Sequence, residues 1–153
     1  VPFFKKMRET GALPITDTRM TRFWITLDQG AQFVARCIGM LNGGETFVAK
    51  LPSMQITDLA EAIAPGCEQK VVGIRPGEKL HEVMCPVDDS YHTYEYHDHY
   101  VITPSIKFYR DEVNFEQNKL GETGSLVDTG FEFHSGTNQH FLSVDEITQF
   151  NDD

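Results

Sequence analysis

Val71-Val72-Gly73-Ile74-Arg75-Pro76-Gly77-Glu78-Lys79 is the stretch on which the reading of this chain turns. A β-branched apolar run, expected as a strand over Lys70–Ile74, stops at a Pro-Gly turn that presents Arg75 and Glu78. In α/β proteins, ligands bind beyond the carboxyl ends of strands. A guanidinium fork matches a phosphate, and a carboxylate three residues on matches a ribose diol. The same residues also describe a solvated turn whose arginine pairs with an acid, so the surroundings must decide.

Upstream, Val1 to Thr10 is amphipathic, with Phe3, Phe4 and Met7 on one face, and Gly11 caps it. The chain starts without Met, inside what reads as a helix in progress, so truncation at the N-terminus is expected. Leu13-Pro14-Ile15-Thr16 is a short strand, placed at an edge by Pro14. Phe23-Trp24-Ile25 favours an extended segment. Thr26-Leu27-Asp28-Gln29 has the form of a capping box, predicting a helix from Leu27 to about Met40 with Phe33, Val34, Cys37, Ile38 and Leu41 as its apolar stripe. A strand over Glu45–Ala49 and a Thr57-capped helix over Asp58–Ala64 precede the central strand. A short helix over Glu78–Met84 follows it.

That alternation of helices and strands predicts an α/β architecture, with no domain boundary in sight. The remainder reads as a strand at Tyr100–Pro104, a polar surface loop over Asn114–Asp128, a strand at Phe131–Phe133 and a helix opened by the capping box Ser143-Val144-Asp145-Glu146.

Length allows one domain with a real core: 153 residues carry a net charge of -10. That balance disfavours nucleic acid or an anionic membrane as partner. No apolar run is long enough to span a bilayer. Cys37, Cys67 and Cys85 are odd in number and widely spaced, which suits reduced structural thiols in the cytoplasm better than zinc or disulfides. His92, His97 and His99 sit among acids, and in a strand the last two would share a face; a polar hairpin face is the plainer account. There is no Gly-x-Ser-x-Gly, no glycine-rich dinucleotide fingerprint after a strand and no Tyr followed four residues later by Lys. Arg22 and Arg75 remain. Both adjoin predicted strands in an acidic chain, and they are either a converging pyrophosphate clamp or two structural ion pairs.

Thr18-Arg19-Met20-Thr21-Arg22-Phe23-Trp24-Ile25-Thr26-Leu27, together with Val72-Gly73-Ile74-Arg75-Pro76-Gly77-Glu78-Lys79-Leu80-His81-Glu82, resembles the C-terminal half of UDP-N-acetylglucosamine 4,6-dehydratases, most closely the inverting type. These are extended short-chain dehydrogenase/reductase enzymes of nucleotide-sugar metabolism. The opening Val1-Pro2-Phe3-Phe4-Lys5-Lys6, Asp98-His99-Tyr100 and the closing Leu142-Ser143-Val144-Asp145-Glu146 fit as well, so the resemblance covers essentially the whole chain.

The resemblance implies the C-terminal substrate-binding portion of an extended Rossmann-type fold, with most of the parallel nucleotide-binding sheet missing. Residues 1–153 would form that portion, and the NADP-binding part would precede Val1. Arg22 and Arg75 would hold the UDP pyrophosphate or nearby ribose, and Glu78 the ribose. Ala12, Leu13 and Ile15 would lie along the uracil, largely through backbone groups. No catalytic residue carries over, because the family's NADP fingerprint, Tyr-x-x-x-Lys pair and acid/base carboxylate all precede this chain.

The parent would oxidise C4, eliminate water across C5 and C6 and return the hydride, with inversion at C5, in surface-polysaccharide or flagellin-sugar synthesis. It would be cytoplasmic and homo-oligomeric. The isolated chain would be inactive, would expose Phe3, Phe4 and part of Phe23-Trp24, and would tend to associate. A UDP-sugar epimerase of the same superfamily and a non-catalytic nucleotide-sugar-binding module are the alternatives.

Overall fold

The computed structural model describes residues 1–106 and 113–152. Its elements run α1 (Pro2–Met7), β1 (Ala12–Ile15), β2 (Thr21–Phe23), α2 (Leu27–Met40), β3 (Thr46–Ala49), β4 (Ser53–Gln55), α3 (Ile56–Ile63), β5 (Glu68–Val71), β6 (Val83–Cys85), β7 (Thr93–Glu95), β8 (His99–Ile102), β9 (Ser125–Leu126), β10 (Phe133–His134) and α4 (Val144–Asp152). Short 3₁₀ segments occupy Arg8–Thr10 and Val87–His92. The fold is α/β, with both parallel and antiparallel pairing. Two compact units interleave in sequence: one comprises Val1–Trp24, Leu51–Glu82 and Ser135–Asp153, the other Ile25–Lys50 and Val83–His134.

In the first unit, β1 and β5 pair in parallel, with Leu13 opposite Gln69 and Ile15 opposite Val71. Leu13 and Ile15 point into a core with Ala60 of α3 and its C-cap Ala64, and Phe4 and Met7 of α1 pack against it. Helix α1 ends at Met7, and Gly11, with a left-handed φ of 76°, caps the 3₁₀ turn Arg8–Thr10 that follows it. A second cluster, Met54, Leu59, Ile63, Leu142 and Ile147, joins β4, α3 and α4, with Trp24 laid on it. The capping box at Ser143 forms: Ser143 Oγ accepts from Glu146 N–H, and the Glu146 carboxylate accepts from Ser143 N–H at 2.8 Å.

Three expectations in this unit need correction. Helix α3 begins at Ile56 rather than Asp58; Gln55 is its N-cap and makes no side-chain capping bond, while Thr57 lies within the first turn. The central strand ends at Val71, although Val72 and Gly73 N–H still bond to the carbonyls of Ile15 and Thr16. No helix forms over Glu78–Met84. The carbonyls of Lys79 and Leu80 accept from the Arg22 guanidinium, and Leu80 O also accepts from Thr21 N–H, so tertiary partners take the groups a helix would use. Val83–Cys85 is instead a strand.

The second unit is built on the antiparallel sheet β3-β8-β7-β9, with β6 and β10 as a separate pair. The Thr26–Gln29 capping box forms in both directions, and α2 has the expected bounds. Its stripe does not: Phe33, Arg36, Cys37 and Met40 turn inward, whereas Val34 and Ile38 are 61% and 72% exposed. The polar stretch 114–128 is shaped by Asn118, whose Oδ1 accepts from Leu120 and Glu122 N–H, and it contributes β9. The strand expected at Phe131–Phe133 starts only at Phe133.

His97 and His99 do not share a face. His97 is exposed outside the strands, while His99 is fully buried against the Tyr96 ring, centroids 4.7 Å apart and nearly parallel. His99 Nδ1 bonds to Asp98 Oδ1 at 2.8 Å.

Candidate nucleotide cleft

Arg75-Pro76-Gly77-Glu78 forms a closed turn. Glu78 N–H donates to Arg75 O at 3.0 Å, and Gly77 has φ 84°. Proline at the second position and a positive-φ glycine at the third define a type II turn. Glu78 Oε2 in return accepts from Arg75 N–H at 2.8 Å. The motif thereby ties its own acid to its own backbone and leaves the guanidinium of Arg75 exposed, with no ion pair among the described residues.

Arg22 is held differently. Its Nη1 donates to Thr21 O (2.6 Å) and Leu80 O (3.2 Å), its Nη2 to Lys79 O (3.0 Å), and its Nε lies 3.5 Å from Glu82 Oε1. Three of the five guanidinium N–H groups are thus spent on backbone carbonyls. Arg22 is thus a structural clamp, whereas Arg75 makes no ion pair among the described residues.

The two arginines nevertheless line one cleft of about 300 Å³ within the first unit. Phe3, Phe4, Pro14 and Ile56 give it apolar walls, and Val72 and Thr16 stand beside the parallel strand ends. Of the stretch expected along a base, Ile15 lines the cleft; Ala12 and Leu13 do not. The Leu13 and Ile15 side chains are core, and the carbonyls of Ala12 and Ile15 already accept from Thr10 Oγ1 and Val72 N–H. Glu78 reaches the cleft only through its bond to Arg75. The aromatic pair Phe3-Phe4 was legible as an apolar helix face but not as a cleft wall, because nothing in α1 alone indicates what it faces.

An apolar trough bearing a free guanidinium suits a ligand with a planar or aliphatic body and an anionic group. It offers no nucleophile–base pair. No group of three or more His, Cys, Asp or Glu residues able to hold a metal occurs among the described residues. Asp17, in the β1–β2 connection, is held at about 2 by its side-chain and backbone hydrogen bonds with Arg19. It is a salt-bridged loop acid.

The residues so far describe an α/β chain with an arginine-lined, apolar-walled cleft at the ends of two parallel strands. Residues 1–104 match the family described as polysaccharide biosynthesis proteins, and the chain belongs to that family. Over 97% of its length it is 52% identical to a UDP-N-acetylglucosamine 4,6-dehydratase (inverting) of Campylobacter jejuni serotype O:2, and over 96% it is 51% identical to that of serotype O:23/36. It is 29% identical, over 78% of its length, to the capsular polysaccharide biosynthesis protein CapD of Staphylococcus aureus and spans 23% of that protein. The chain spans 45% of the length of the Campylobacter proteins. Its fold matches that of Pen from Bacillus thuringiensis in a crystal structure, with a TM-score of 0.76, 24% identity, and coverage of 97% of this chain and 44% of that one.

Proposed function

We propose that this chain is the substrate-binding part of a nucleotide-sugar dehydratase and that the cleft holds the UDP moiety. The carrying observation is the convergence of Arg22 and Arg75 on one apolar-walled cleft, with no ion pair to the Arg75 guanidinium among the described residues. Arg75 would bind the diphosphate through charge-assisted hydrogen bonds, and Arg22 would add its uncommitted N–H groups. Glu78 would offer the ribose its second carboxylate oxygen. The Ala12–Ile15 segment would run along the uracil, with Ile15 the residue nearest to it.

On this reading the parent enzyme is a lyase acting on UDP-N-acetylglucosamine, the substrate named for its Campylobacter relatives, in surface-polysaccharide or flagellin-sugar synthesis. The proposed setting is cytoplasmic and homo-oligomeric. NADP would serve as the hydride carrier, but these residues do not fit it. Among the described residues no positive-φ glycine stands at the start of a helix, where a dinucleotide pyrophosphate would need one. The chain's own contribution is therefore to bind and orient the nucleotide.

The test is calorimetric titration of the chain with UDP beside an Arg75→Ala, Glu78→Ala double substitution. Wild-type binding, weakened at least tenfold in the double variant, supports the cleft; a tenfold loss corresponds to about 1.4 kcal/mol. Equal affinities in the two proteins would refute it.

A further inference from the structure

The segment 79–82 leaves the Arg75–Glu78 turn and is held by a buried relay of hydroxyls. Thr21 Oγ1 lies 2.8 Å from His81 Nδ1 and 2.7 Å from Ser135 Oγ. Ser135 Oγ accepts from Glu82 N–H at 2.8 Å, and Ser135 N–H donates to Glu82 O at 2.8 Å. Thr21 N–H donates to Leu80 O. Thr21 is 4% exposed and Ser135 is fully buried.

Proton bookkeeping is satisfied along the chain: Ser135 can donate to Thr21, and Thr21 to an unprotonated His81 Nδ1. The reverse direction works equally well, with His81 as donor and Ser135 turning its proton to Thr21 O, 3.4 Å away. A hydroxyl at position 21 therefore serves both neighbours.

Thr21 sits where the two cleft arginines meet the backbone. It precedes Arg22 in β2, and its own carbonyl takes an Arg22 Nη1 bond. Arg22 in turn grips Lys79 and Leu80, the residues directly after the turn that carries Arg75. Relay and clamp together fix a four-residue tether between the two cations. Helix geometry cannot do this, because the tether has no helical bonds of its own.

We propose that Thr21 is a positioning residue of the nucleotide cleft: its hydroxyl, shared by His81 and Ser135, sets the tether that holds Arg75 opposite Arg22. This rests on the UDP reading above. Thr21→Val keeps the shape and removes the hydroxyl, leaving Ser135 and His81 without their shared partner. The expected result is a loss of UDP affinity of about tenfold. Thr21→Ser, which keeps the hydroxyl, should restore it. Met40→Ala serves as control: it opens a cavity in the second unit, none of whose residues lines the cleft, and should lower the melting temperature at least as much while leaving UDP affinity unchanged. His81→Leu, at a half-buried site, covers the case in which Thr21→Val does not fold, and should weaken UDP binding in the same direction.

Wild-type affinity in Thr21→Val, or in His81→Leu should Thr21→Val not fold, overturns the positioning role alone. So does affinity that merely follows melting temperature across all variants, the Met40→Ala control included. A wild-type chain that binds no UDP overturns the cleft reading and the positioning role with it.

Discussion

Gly124 illustrates what single residues can and cannot reveal. In sequence, Gly121 and Gly124 look like two turn glycines. Gly121 is one, with φ 82°. Gly124 is required for a different reason: a Cβ there would lie 2.7–2.9 Å from three atoms of the Tyr96 ring. That ring cannot move aside cheaply. It is 3% exposed, stacks on His99, and its hydroxyl donates to Phe115 O at 2.6 Å. Gly124→Ala should therefore cost about 1–3 kcal/mol, the range of core overpacking, read as a lower urea midpoint. A midpoint equal to wild type would mean that the loop yields instead. The contact joins residues 28 positions apart, so no local pattern announces it. Arg75 and Glu78 were legible because turn chemistry is local. The Thr21–Ser135 bond, spanning 114 residues, was not.

At the scale of elements, α2 divides the legible from the illegible. Its start was written in Thr26 and Gln29, and both capping bonds form, at 3.2 and 3.0 Å. Thr26→Ala should cost about 1 kcal/mol, seen as a shift in the urea midpoint; no shift would show that the box contributes nothing. Its buried face was misread because α2 carries two apolar stripes. Phe33, Cys37 and Met40 follow one 3.6-residue track, and Leu27, Ala31, Val34 and Ile38 another. Periodicity finds both and cannot choose between them. The structure chooses the first: Met40 is 1% exposed and Leu27 92%. Met40→Ala should then cost about 2–5 kcal/mol, whereas Val34→Gln and Ile38→Gln should each stay within about 0.5 kcal/mol. Losses of several kcal/mol from the glutamines would place the outer stripe in a packed interface. The missing helix at 78–84 teaches the same lesson from the other side. Lys79, Leu80 and the residues around them have helical propensity, but carbonyls already bound by Arg22 and Thr21 cannot also close helical turns.

For the whole molecule, charge is the property that sequence gives most directly, and the structure says where it matters. At a net charge of -10 the folded chain repels itself, and acidification toward the pI of about 4.9 relieves that. Opposing this, Arg36 in the second unit bridges Asp98 and Glu122. Burial pushes the Asp98 carboxyl up, but hydrogen bonds from His99 and Arg36 outweigh it and leave it below the usual carboxylate range. Glu122 is lowered first by its hydrogen bond from Asn118 and then, against some desolvation, by Arg36. Carboxylates depressed in the folded state add stability that is fully present above their unfolded values, about 4, and is lost as pH falls through the folded ones. Between pH 7 and 5 the urea midpoint should thus hold steady or rise as repulsion eases. Below about pH 4 it should fall. Arg36→Met, which removes the bridge and keeps the stem, should flatten that acid limb. A wild-type midpoint that does not fall below pH 4, or an unchanged limb in Arg36→Met, would show that the Arg36 bridge does not govern the acid response.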